Sequence, residues 1–266
     1  MNPVQLYLRL VRIAIQSRLQ YRADFVTGVI GVIVMNVVNI GLIAILINRF
    51  TNLNGWTAWE VLFLYSLWIL GHSLFSMFMW HMRTLEDYLV QGTFDLFLIR
   101  PASPFVLFLG REVQYLGIAD FAIGVGGLSL SYTNLHLSWG PTDWLFLVLA
   151  ILAGTLIEMT ITLMIACIAF WTGRSRRANG LVMQLNVMVQ YYPLDIFGTV
   201  FRVLVTSVVP VAFMNYYPAL MLLGKLDRIG EWWFLAYLSP VVALIMVALS
   251  AGVWRLALRR YSSSGG

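Results

Sequence analysis

Charge is scarce in this chain: 11% of its 266 residues are Asp, Glu, Lys or Arg, against about 25% in a typical soluble domain. Lysine is nearly missing, since Lys225 is the only Lys beside sixteen Arg. Cys167 is the only cysteine, so no intrachain disulfide can form. The three histidines, His72, His81 and His136, stand in separate segments without metal-ligand spacing. No H-E-x-x-H or G-x-S-x-G occurs. The phosphate-cradling loop is missing too: Leu226 follows Gly224-Lys225, and Ala219 stands where its first glycine belongs. These absences exclude a water-soluble enzyme and a disordered chain, and they leave hydrolytic or metal chemistry without visible carriers. No cofactor is expected on this chain. The net charge of +5 calls for no nucleic acid, because inner loops of membrane proteins carry excess Arg and Lys.

What is present is apolar. Hydrophobic residues make up 60% of the chain, and the mean hydropathy is +0.82. A spanning helix needs about 20 mostly apolar residues. Six stretches approach this, at 25–47, 57–80, 105–133, 144–171, 179–194 and 232–254. They predict an all-α polytopic membrane protein, read as one membrane domain over 1–266, with no cleavable signal. Before the first span, Gln5, Arg9, Arg12, Gln16 and Gln20 share one helical face, which predicts a helix at 4–22 lying along the inner interface. A plain cytosolic extension is the alternative.

Arginine sets direction. With the N-terminus inside, thirteen of the seventeen cations fall on inner segments, and Arg49, Arg202, Lys225 and Arg228 fall outside. Trp56, Trp59, Trp139, Trp144, Trp232 and Trp233 then mark outer ends, and Trp80, Trp171 and Trp254 inner ends. A seventh span at 195–223 would place Arg255, Arg259 and Arg260 outside. That stretch is therefore read as two short outer re-entrant helices, broken at Pro210 and Pro218, with Asp195, Thr199, Arg202 and Thr206 on one face. Both termini are expected inside. The tail Ser262–Gly266 is a flexible end.

The connection 81–104 reads HMRTLEDYLVQGTFDLFLIRPASP. Arg83 stands three and four residues before Glu86 and Asp87 on a short helix that Gly92 ends. Leu85, Tyr88, Phe94 and Phe97 are expected to be exposed there. They suit either a docking partner or the inner leaflet, and the residues alone leave both open. Inside the spans, Glu158 is an expensive mid-membrane carboxylate, with Thr155, Thr160 and Thr162 nearby. It either lines a pathway and attracts a cation, or holds two helices together. Asp120 is the second such acid, and Asn36 and Asn39 are further polar candidates. His72 reads as a helix–helix hydrogen bonder. Gly124, Gly126 and Gly127 suggest close helix approach or a bend.

The stretch GTFDLFLIRPASP at 92–104 resembles the signature Gly-Glu-Phe-Asp-x-x-Leu-x-Arg-Pro-x-Ser-Pro of a permease family of bacterial type-2 ATP-binding-cassette transporters. YRADF at 21–25 and VPVAFMNYYPALMLLGK at 209–225 are similar to that family too. Thr93 replaces the family's usual Glu. The resemblance implies six spans, a coupling segment formed by Arg83, Glu86, Asp87, Leu89, Gly92, Phe94, Asp95, Phe97, Arg100 and Pro101, and a bacterial inner-membrane location. It implies a separate cytoplasmic ATPase dimer carrying ATP and Mg, a second permease subunit, identical or related, and efflux of small organic, cationic or amphiphilic compounds. A membrane-embedded lipid-modifying enzyme and a passive channel or scaffold are the alternatives from other classes.

Overall fold

In a computed structural model the protein is described over residues 3–18, 22–49 and 54–261. Gln20, Tyr21 and the tail Ser262–Gly266 lie outside these. Among the described residues there is no strand. Thirteen α-helices follow in order: α1 Pro3–Arg18, α2 Arg22–Arg49, α3 Ala58–Met79, α4 Leu85–Val90, α5 Asp95–Leu98, α6 Pro104–Leu109, α7 Gly117–Asn134, α8 Pro141–Cys167, α9 Ala169–Thr172, α10 Arg176–Tyr191, α11 Thr199–Val203, α12 Tyr216–Leu222 and α13 Ser239–Arg260. Single turns of 3-10 helix join several of them, including Trp80–Thr84 between α3 and α4, and a longer 3-10 stretch covers Leu226–Tyr237.

α3 is the hub. It starts at a capping box, in which the Thr57 hydroxyl accepts from the Glu60 amide and Glu60 accepts from the Thr57 amide. It then runs apolar on every face, so nearly all of Val61–Leu70 is buried. Such a helix must be enclosed by others. α7 and α8 flank it most extensively, and α13 packs on the far side of α8. Close approach to α7 depends on Gly124, where a Cβ would come within 2.8 Å of Leu70, and on Gly127 against Ser66. Gly126 faces open space and takes no part.

Among the described residues, three continuous helical stretches are long and apolar enough to cross a bilayer: Ala58–Val90, Pro141–Thr172 and Ser239–Arg260. The expected unbroken run 105–133 is corrected. α6 ends at Leu109 and the chain leaves the helix until Gly117, because Gly110 is followed by two adjacent charges, Arg111 and Glu112. The expected start at 232 is corrected to Ser239. Segment 199–222 forms two helices bent by 80°. Pro210 sits at the bend, whereas Pro218 does not break α12: it occupies the first turn, where an amide has no intrahelical partner.

Candidate functional site

A cavity of about 380 Å³ opens inside the bundle. α3 lines it with Tyr65, Trp68, Ile69 and His72, at the i, i+3, i+4, i+7 spacing that puts residues on one helical face. α10 repeats that spacing with Met183, Asn186, Val187 and Gln190, and α2 adds Asn36 and Asn39 three residues apart. Asp120 of α7 and Glu158 of α8 close the ring with Trp80 and Arg83. The four polar positions singled out in the sequence therefore meet in one cavity. Arg83, Asn186 and Gln190 were not anticipated there. For Asn186 and Gln190 the signal was present, as an amide pair four apart in an apolar run.

Among the described residues, Glu158 is the most deeply placed charge, with its side chain 1% exposed. His72 Nδ1 lies 2.9 and 3.0 Å from its two oxygens. Arg83 donates from Nη2 at 3.3 Å, with its guanidinium 4.1 Å over the Trp80 ring. Within its own chain, Arg83 stands to Glu158 as a counter-ion. On the other wall the Tyr65 hydroxyl donates to Asn36 Oδ1, and Asn36 Nδ2 donates to Asp120 Oδ1 at 2.9 Å. The arrangement pairs no nucleophile with a base. Among the described residues no three His, Cys, Asp or Glu side chains converge as a metal site.

Segment 81–104 differs from its sequence reading. Arg83 does not pair with Glu86 or Asp87 but turns inward to Glu158. Leu85, Leu89, Phe94 and Phe97 are buried, not exposed. They pack with Phe75, Phe108, Leu163 and Trp254 in a second hydrophobic cluster, and Tyr88 is half-buried against Phe97 and Phe108. What the segment leaves outside is Val90, Leu96, Leu98 and Ile99, the last 77% exposed, together with Arg100 and Pro101. Gly92 makes the turn between α4 and α5 at φ 67°.

Three acids tie this segment down. Glu86 accepts from the amides of Ser175 at 2.5 Å and Arg176 at 2.8 Å, and from the Ser175 hydroxyl at 3.2 Å. Its carboxylate thereby caps the N-terminus of α10, the favourable place for an anion. Burial alone would raise its pKa, but those donors hold it below the usual carboxylate range. Asp87 pairs with the Arg176 side chain. Asp95 accepts from the Tyr261 hydroxyl at 2.7 Å, and burial with that bond pushes the Tyr261 phenol up to about 12.

At the opposite end, Trp56 is corrected from interfacial marker to core residue, at 1% exposure. Its indole donates to both Asp195 oxygens at 3.0 and 2.9 Å. Arg228 pairs with Asp195 at 2.5 Å and Lys225 with Glu60 at 2.7 Å. Both cations stand over the Trp56 ring, at 5.1 and 4.9 Å. Trp254, expected at the inner interface, is likewise buried. A second cavity of about 440 Å³ lies beside this clasp, lined by Thr199, Arg202, Thr206 and Tyr217 among others.

Residues 33–265 match the family model described as ABC-2 family transporter protein. No curated protein and no solved structure matches the chain.

Proposed function

Because the chain belongs to the ABC-2 family of transporter proteins, and so is a membrane component of transport rather than a catalyst, we propose that it is the permease of an ATP-driven exporter for a small organic compound. ATP and Mg would be handled by a separate cytoplasmic ATPase dimer, and a second permease, identical or related, would complete the pathway. In this reading 1–266 is one membrane domain of the bacterial inner membrane. It crosses six times with both ends inside, α1 lies along the inner interface, and 195–223 forms the outer re-entrant pair.

One observation carries the proposal: Arg83, from the coupling segment, reaches Glu158 in the polar cavity. A push on the segment therefore has a direct route to the place where a substrate would sit. Glu86, bonded to the first amides of α10, provides a parallel route to a helix that lines the same cavity. The ATPase would rest on the exposed ledge Leu96, Ile99 and Arg100 rather than on Leu89 or Phe97, which face the chain's own core. The unburied apolar face of α2, including Val34, Val37 and Val38, suits a second permease.

The test is co-purification in mild detergent, followed by ATP-dependent uptake into inverted vesicles. The tagged permease should bring down an ATP-binding-cassette ATPase, and the reconstituted pair should concentrate substrate only with ATP. A permease recovered without any ATPase from intact membranes would overturn this reading.

A further inference from the structure

The cavity's unmet hydrogen-bonding groups indicate what it takes in. Among the described residues, Trp68 Nε1, Arg83 Nη1 and Asn186 Oδ1 are buried without a partner. All three residues line the cavity, and Trp68 and Asn186 are only 7% and 6% exposed. Buried polar groups rarely go unpaired, because each carries its desolvation cost. An indole N–H and a guanidinium N–H can only donate, so two of the three unmet groups seek an acceptor.

The acids, in contrast, are supplied from within. Glu158 holds His72 and Arg83, and Asp120 holds Asn36. An organic cation entering here would meet a guanidinium already beside the inner carboxylate, and among the described residues the one fully buried acceptor lining the cavity without a partner is the neutral amide oxygen of Asn186. The walls are flat and aromatic. Trp68 stacks on His72 with centroids 4.5 Å apart, and Tyr65 stacks on Tyr191 at 5.8 Å.

We infer that this cavity binds a planar aromatic compound through a carbonyl or carboxylate oxygen, held jointly by Arg83 Nη1 and Trp68 Nε1, with Asn186 accepting from a donor on the same molecule. The inference rests on the cavity being the transport pathway and names the substrate class for it: aromatic acids and amides in place of organic cations. Arg83 would then be shared between Glu158 and the incoming oxygen. Substrate arrival would loosen the bond that joins the cavity to segment 81–104.

The experiment uses the full chain in nanodiscs of uncharged lipid and equilibrium dialysis against three probes that share one ring system: naphthalene-1-carboxylate, naphthalene-1-carboxamide and naphthalen-1-ylmethylammonium. Uptake by empty nanodiscs is subtracted. The carboxylate and carboxamide should bind saturably, at least about ten-fold more tightly than the ammonium. Trp68→Phe keeps an aromatic ring and removes the N–H. It should weaken both acceptor probes by about five- to ten-fold, the worth of one hydrogen bond, and leave the ammonium probe unchanged. An unchanged elution profile and thermal midpoint establish that the variant is folded. Equal or tighter ammonium binding, no saturable binding of any probe, or acceptor binding that ignores Trp68→Phe would each overturn the inference. Its failure is separable from failure of the exporter reading, because ATPase co-purification does not depend on the probes.

Discussion

Replacing Glu158 with Gln removes one charge from a buried three-residue cluster and leaves Arg83 behind. Breaking a buried ion pair by deleting one partner costs about 3–5 kcal/mol, because the surviving charge is uncompensated. Arg83 retains 14% exposure and its stack on Trp80 at 4.1 Å. The lower end, about 3 kcal/mol, is therefore expected, less whatever the amide of Gln still offers His72 and Arg83. At about 2–4 °C per kcal/mol for a chain of this size class, the midpoint should fall by about 6–12 °C. The informative comparison is the double variant Glu158→Gln/Arg83→Met. Removing both charges leaves nothing ionic to desolvate, and such replacements are often neutral. The double variant should recover at least half of the loss, giving a clear coupling term in the cycle. The assay is a thermal scan of purified protein at one fixed heating rate. A fall below about 3 °C for Glu158→Gln, or a double variant no more stable than the worse single one, would refute the view that Arg83 and Glu158 stabilise each other across the cavity.

Glu86→Gln should weaken the cap on α10 by about 1 kcal/mol and speed amide hydrogen exchange at Arg176–Asn179; unchanged exchange there would refute the cap. The same contact carries a pH signature. The Glu86 carboxyl is held below its usual 4.5, so the stabilisation is complete above that value and is lost as pH falls through the lower folded one. Ile99→Asp on the exposed ledge should lower ATPase recovery without changing the thermal midpoint, whereas Phe97→Ala, inside the second cluster, should destabilise the whole protein by about 3–5 kcal/mol; if the two behave alike, the ledge is not the docking face. In a Cys167→Ala background, single cysteines at Asn134 and Asp227 should label from outside intact cells, and one at Arg174 only after permeabilisation; external labelling at Arg174 would invert the orientation.

The parts legible in advance were those written in local pattern. The break at Pro210, the apolar span read at 144–171 and the amphipathic face of α1, whose Gln5, Arg9, Arg12 and Gln16 are all exposed, needed only residue spacing. Asn36, Asp120 and Glu158 were legible as costly polar groups in apolar runs, because such a group needs partners wherever it sits. Their partners were not legible. Arg83 had two acids within one helical turn, and nothing local reveals that it prefers Glu158, 75 positions away. Burial in 81–104 failed for a different reason. In a membrane protein an apolar side chain is equally at home facing lipid, a partner or its own core, and α5 is four residues long, too short for periodicity to say that Phe97 turns inward and Leu96 outward. Trp56 failed similarly: an indole at a span's end serves a headgroup or an aspartate equally well.

The clasp around Trp56 also has a history in time. Lys225 and Arg228 are made 170 and more residues after Gly55 and Asn54, whose carbonyls they reach. At about 5–20 residues per second, the start of α3 waits about ten to thirty seconds for them while the ribosome works on. Glu60 has an interim partner in the Thr57 amide. Trp56 and the cations' seats on its ring have none until 195–228 emerges. During that interval the outer end of the hub helix is an unfinished surface, and newly made chains are then most open to capture by membrane quality control. A truncation stopping before Lys225 should be degraded faster than one stopping just after Arg228, even though both retain α3, α7, α8 and α10.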